Sequence, residues 1–135
     1  MTRHVIARSV VAALALAYAA TPALAQTTPA ENSGGAVFLL YCASCHGPNA
    51  KGDGPTAVVM QPKPPDLTKI AARNGGKFVD DVVFRTIDGR SAKAGHGGQG
   101  MPVWGDAFGR KGQTPDDTRR RIDAVVQYLK SIQGK

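Results

Sequence analysis

Cys42-Ala43-Ser44-Cys45-His46 holds both of the chain's cysteines and constrains the fold more tightly than any other feature. Two thiols two residues apart, with a histidine directly after the second, admit four chemistries. In an exported chain they can pair as a disulfide. As a redox dithiol the motif normally opens a helix of a βαβ unit, and no strand pattern precedes Cys42. A structural zinc site takes four ligands, and beyond the cysteines only His46 and His96 remain once an N-terminal signal is removed. The histidine placed directly after Cys45 fits the fourth reading, covalent c-type haem attachment. There Cys42 and Cys45 add to the two vinyl groups, and His46 presents a ring nitrogen to the iron from the same helical turn. The expected cofactor is one haem c.

The N-terminus bears on compartment. Arg3 and Arg8 form a positive region, Val10 to Ala20 an apolar stretch, and Ala23-Leu24-Ala25 a small-x-small cleavage site. Residues 1–25 therefore read as a cleavable signal peptide, 26–32 as a flexible leader and 33–135 as one domain. The apolar stretch falls short of the roughly 20 residues that span a bilayer, so anchoring requires retention of the signal. The expected compartment is the periplasm. Removing Arg3 and Arg8 lowers the formal charge from +7 to +5. A basic exported domain meets acidic protein surfaces or anionic headgroups rather than nucleic acid.

A chain of 135 residues with 16 Gly, 9 Pro and 6% aromatic residues has room for one small domain with a modest core. Its clearest local signal is terminal. Thr114 is a natural N-cap, Pro115 suits the first helical position, and Asp116 and Asp117 suit the positive end of the helix dipole. Ile122, Val125, Val126, Leu129 and Ile132 then recur at three- and four-residue steps, with Gly134 as terminator. A middle helix is predicted over about Val79 to Asp88, with Val79, Val82, Val83 and Ile87 on one stripe and Gly89 closing it. A first helix begins near Ser33 or Gly34 and runs into the cysteine motif. Between them, Gly47 to Pro65 and Gly89 to Trp104 are rich in Gly and Pro and read as loops. Long loops in so small a domain need something beside them to pack on, and a haem supplies it.

Phe38-Leu39-Leu40-Tyr41-Cys42-Ala43-Ser44-Cys45-His46-Gly47, followed by Gly52-Asp53-Gly54-Pro55, resembles a bacterial class I cytochrome c, as do Gly100-Met101-Pro102-Val103-Trp104-Gly105 and Val125-Val126-Gln127-Tyr128-Leu129. The resemblance covers about residues 33 to 133. It implies an all-α fold of three to five helices with long loops wrapped around one haem, and a protein that moves single electrons. It also implies that Met101, in its Met-Pro context, is the distal ligand. Met60 and His96 compete for that place: Met60 lies close behind His46 and otherwise serves as a core hydrophobe, while His96 sits in a glycine-rich loop.

The resemblance assigns further roles. Pro55 matches the proline whose carbonyl accepts the proximal histidine's other N–H, with Pro62, Pro64 and Pro65 as rivals. Trp104 either donates its indole N–H to a haem propionate or serves as a core aromatic. Gly34, Phe38 and Tyr128 match a close crossing of the terminal helices. Arg90 either meets a propionate or is solvated, and Arg119-Arg120-Arg121 reads as a solvated run, because three consecutive positions do not share one helix face. Lys63, Lys93, Arg110 and Lys111 flank the loops expected near the haem edge, where a basic ring would steer an acidic redox partner.

No nucleophile–base pair, phosphate loop or carboxylate cluster stands out, so substrate turnover is not expected. The leading expectation is a diffusing periplasmic electron carrier with His46 and Met101 on the iron. A dedicated cytochrome subunit of one oxidoreductase is the alternative, and a sensor or catalyst with an open iron site is a third.

Overall fold

The computed structural model describes residues 33–90, 100–109 and 113–134. The proposed signal, the leader, His96, Lys93, Arg110 and Lys111 lie outside them. Among the described residues the regular structure is entirely helical: α1 (Gly34–Tyr41), α2 (Ala43–His46), α3 (Ile70–Arg73), α4 (Asp80–Asp88), α5 (Trp104–Phe108) and α6 (Pro115–Ser131), with 3-10 turns at Ala57–Val59 and Leu67–Lys69. The expected all-α class stands. Six helical segments form, of which α2 and α3 are four residues each.

Helix α6 starts where its local chemistry directs. The Thr114 hydroxyl accepts from the Asp117 N–H at 3.1 Å and the Asp117 carboxylate accepts from the Thr114 N–H at 2.9 Å, a reciprocal capping box. Its inner face buries Ile122, Val125, Val126 and Leu129. Against this face lies α1, capped by Ser33, with Val37 and Phe38 inside. Helix α4 adds Val83 and Ile87, and α5 adds Phe108. These side chains form one continuous core.

The α1–α6 crossing is close because Gly34 has no side chain. A β-carbon there would stand 2.5 Å from the Ala124 carbonyl carbon and 3.0 Å from the Tyr128 β-carbon. Beside it, Phe38 and Tyr128 pack with ring centroids 5.2 Å apart. At its other end α6 holds the α3 segment: the Gln133 side chain accepts from the Ala71 N–H and donates to the Leu67 carbonyl, each at 2.9 Å. Lys130 and Gln127 reach Asp80 at the start of α4.

One expectation needs correction. In α4 only Val83 and Ile87 of the expected stripe are buried, while Val79 is 41% and Val82 51% exposed. Val79 is the N-cap, outside the helix, and Val82 lies one step of about 100° from Val83, off the face that meets α6. The arginine run is mostly solvated as expected, with the Arg119 and Arg120 side chains 72% and 70% exposed, and each arginine also has a partner. Arg119 lies over the Phe84 ring at 5.4 Å, Arg121 over Phe108 at 5.1 Å, and Arg120 pairs with Asp117. Being on different faces, they find different partners. Arg90, half-exposed, also pairs with Asp88 at 2.7 Å, a carboxylate whose side chain is only 10% exposed.

Candidate functional site

Helix α1 delivers the cysteine motif. The Cys42 N–H closes α1 on the Phe38 carbonyl at 2.8 Å; the backbone then pauses and a single further turn, α2, carries Cys45 and His46. The His46 N–H bonds the Cys42 carbonyl at 2.9 Å, so both thiols and the imidazole issue from one turn of chain. The sequence pattern predicts one helix running into the motif; the observed pause at Cys42 separates its last residues as a turn of their own.

The loop after His46 holds that turn in place. The chain reverses at Gly47, where φ is 76°, a conformation that favours glycine. It then returns alongside the motif, with the Gly52, Gly54 and Thr56 N–H groups donating to the His46, Cys45 and Ser44 carbonyls at 2.8, 3.2 and 3.0 Å. Carbonyls left over at a helix end are thereby satisfied by the loop. Close approach requires glycine again: a β-carbon on Gly54 would stand 2.6 Å from the Ala43 carbonyl oxygen and 2.7 Å from the Cys45 carbonyl carbon. The Thr56 hydroxyl donates to the Ser44 carbonyl at 2.7 Å and lies 3.1 Å from the Cys45 sulfur.

Cys42 and Cys45 are both half-buried free thiols, without a disulfide between them. Burial pushes the Cys42 thiol up to about 12, with the neighbouring Cys45 adding to the effect. Among the described residues no cluster of three or more His, Cys, Asp or Glu could hold a metal ion.

Met101 comes from a separate segment. It is half-buried, packs on the edge of the core, and comes directly after Gly100, whose φ is 101°. Trp104 then opens α5 and joins Tyr41 and Phe108 in an aromatic triangle. The centroid separations are 5.8 Å for Tyr41–Trp104, 5.1 Å for Tyr41–Phe108 and 5.0 Å for Trp104–Phe108. Tyr41 precedes Cys42 directly, so this triangle ties the thiol-bearing helix to the methionine segment. No local pattern marks Tyr41 for that part; only its place beside Cys42 draws notice to it. Pro55 is exposed, between the Gly54 and Thr56 contacts on the motif turn. Met60 is half-buried at the end of the Ala57–Val59 turn. A polar cleft of about 280 Å³ lies elsewhere, lined by Arg90, Gly105, Asp106, Gly109, Gln113, Pro115 and Thr118, and includes none of the sulfur or imidazole groups.

The donor set fits a covalently held haem iron. Two thiols without a disulfide suit two thioether bonds, and imidazole and thioether groups come from two separate segments. The surroundings fit as well. Leu40 is 73%, Val58 79% and Val59 82% exposed, an apolar excess on and beside the elements that carry the motif. Residues 32–133 match the family model described as Cytochrome c. Searches of curated proteins and of solved structures returned no match.

Proposed function

This chain belongs to the cytochrome c family and carries covalently bound haem c, and from that premise we propose that it is a periplasmic single-electron carrier with His46 and Met101 as the axial ligands. The observation that carries the reading is the presentation of two free thiols, Cys42 and Cys45, on the same turn as His46, clamped by the Gly52–Thr56 return. Cys42 and Cys45 would hold the haem covalently, and His46 and Met101 would close the two axial positions. The haem held there would supply one-electron redox chemistry.

This chain's residues suit that exchange. The Met101 thioether is a neutral, weak donor that favours the ferrous state and raises the potential. Its packing on the core edge, three residues before Trp104 of the aromatic triangle, would limit its movement between the two charge states of the iron. A ligand held in this way would leave no open position for oxygen or peroxide and little to rearrange on electron exchange. Pro55 and Trp104 are proposed as supports, Pro55 through its carbonyl toward His46 and Trp104 at the haem edge. Export rests on the charge and apolar pattern of residues 1–25.

Absorption spectra of protein purified from a periplasm competent in haem attachment test the reading. A low-spin spectrum in both oxidation states is expected, with a weak near-red sulfur-to-ferric-iron band that disappears in Met101→Ala. A high-spin spectrum that shifts with carbon monoxide or cyanide refutes six-coordinate electron transfer and favours an open site.

A further inference from the structure

Met101 is held from both sides. Three residues after it, Trp104 joins Tyr41 and Phe108. One residue before it, Gly100 receives the side chain of Met60: a β-carbon on Gly100 would lie 3.0 Å from the Met60 methyl carbon, tighter than ordinary van der Waals contact. Gly100 thus combines a φ of 101° with an open face that the Met60 methyl occupies. The contact is selective within its stretch. Val58 and Val59 are 79% and 82% exposed, whereas Met60, next in sequence, is half-buried.

The far end of this contact is the cysteine motif itself. Met60 closes the Ala57–Val59 turn through its N–H to the Ala57 carbonyl at 3.3 Å. Immediately before that turn, Gly54 and Thr56 are bonded to Cys45 and Ser44. A connected path therefore joins the motif turn to the Met101 segment, running along the return loop, across one methionine side chain and into the backbone at Gly100. An unbranched, polarizable methionine fills such an irregular gap well.

We infer that Met60 is a positioning residue for the sixth ligand: by packing on Gly100 it holds the Met101 segment closed and limits how often the Met101 sulfur leaves the iron. This rests on Met101 being that ligand. Met60 does not itself bind the iron, and its part is to set the open fraction of the segment.

Imidazole competition on the haem-loaded ferric protein measures that fraction, because the apparent affinity of a ligand that needs the open state scales with the population of that state. In Met60→Ala the near-red sulfur band is expected to persist without imidazole, while imidazole binds about tenfold more tightly, the equivalent of about 1.4 kcal/mol. Met60→Leu, which keeps most of the side-chain volume, is expected to stay within about twofold of the parent. Met60→Val is expected to give an intermediate rise of about threefold, and provides the measurement where Met60→Ala does not yield folded protein. Thr114→Ala weakens the fold through the distant cap of α6 and is expected to leave imidazole affinity unchanged, which separates local loosening from general instability. Unchanged imidazole affinity in both folded Met60→Ala and Met60→Val overturns the inference while leaving Met101 as ligand. Loss of the sulfur band in Met60→Ala with its retention in Met101→Ala overturns both, and makes Met60 the ligand.

Discussion

Gly34→Ala is the sharpest test of how the terminal helices meet. The added β-carbon would stand 2.5 Å from the Ala124 carbonyl carbon and closer still to its oxygen, whereas real β-carbons do not approach within 3.0 Å. Both obstructing atoms belong to backbone in the middle of α6, so no side chain can swing aside. Helices α1 and α6 must part by on the order of 1 Å, and a gap of that size forfeits a quarter to a half of the dispersion attraction across it. The groups that lose contact are among the most enclosed of the described residues, with Phe38 and Ile122 at 0% and Val37, Val125 and Val126 at 2% exposure. Overpacking of this kind costs about 3 kcal/mol, a sizeable part of the roughly 5–15 kcal/mol that holds a domain together. For about 100 residues the midpoint of thermal unfolding should fall by roughly 10–20 °C.

The neighbouring glycine is the internal control. A β-carbon on Gly35 would meet only the edge of the Tyr128 ring, at 3.5 Å, which is ordinary contact. Replacing a helical glycine by alanine adds about 0.5–1 kcal/mol of stability when nothing is in the way. Gly35→Ala should therefore unfold at or slightly above the parent temperature. The assay is thermal and guanidinium unfolding of the haem-loaded protein, monitored by far-ultraviolet circular dichroism. Equal effects of the two substitutions, or a Gly34→Ala protein as stable as the parent, would refute the close backbone crossing.

Two smaller perturbations probe the helix cap and the surface charges. Thr114→Ala removes one half of the capping box and should cost about 1 kcal/mol, read as a lower guanidinium midpoint. Acid should destabilise the protein below the ordinary carboxylate value of 3.8, because folding lowers Asp66, Asp80 and Asp117 through hydrogen bonds from Thr68, Lys130 and Thr114 respectively. The unfolded chain then binds more protons, so the stabilisation is complete above that value and is lost as pH falls through the folded ones. An unfolding midpoint that does not change on titration from pH 5 to pH 2 would contradict it.

Helix ends written in neighbouring residues are legible in the sequence. Thr114, Pro115 and Asp117 interact within one turn, and Gly89 closes α4 in the left-handed conformation by its own backbone freedom. Helix α5 is not legible. Five residues containing a glycine give no periodicity, and so short a helix does not hold without tertiary packing. Tyr41, Trp104 and Phe108 make it a helix by packing its first and last residues against α1. Val82 misleads for the opposite reason: it has a core residue's chemistry, but its place on the turn faces away from α6.

The spacing of Cys42, Cys45 and His46, and where the longest helix among the described residues begins, are written in the primary structure, because covalent spacing and single-turn hydrogen bonds act between near neighbours. Cys42, Cys45 and His46 stand on one turn through spacing alone. How the Met101 segment is held depends instead on the folded chain. Met60 reaches Gly100, 40 positions away, and Tyr41 reaches Trp104, 63 positions away, through contacts that no local pattern encodes. Such pairs form because the terminal helices bury their faces against each other, and the loops between them close on whatever apolar surface is left within reach.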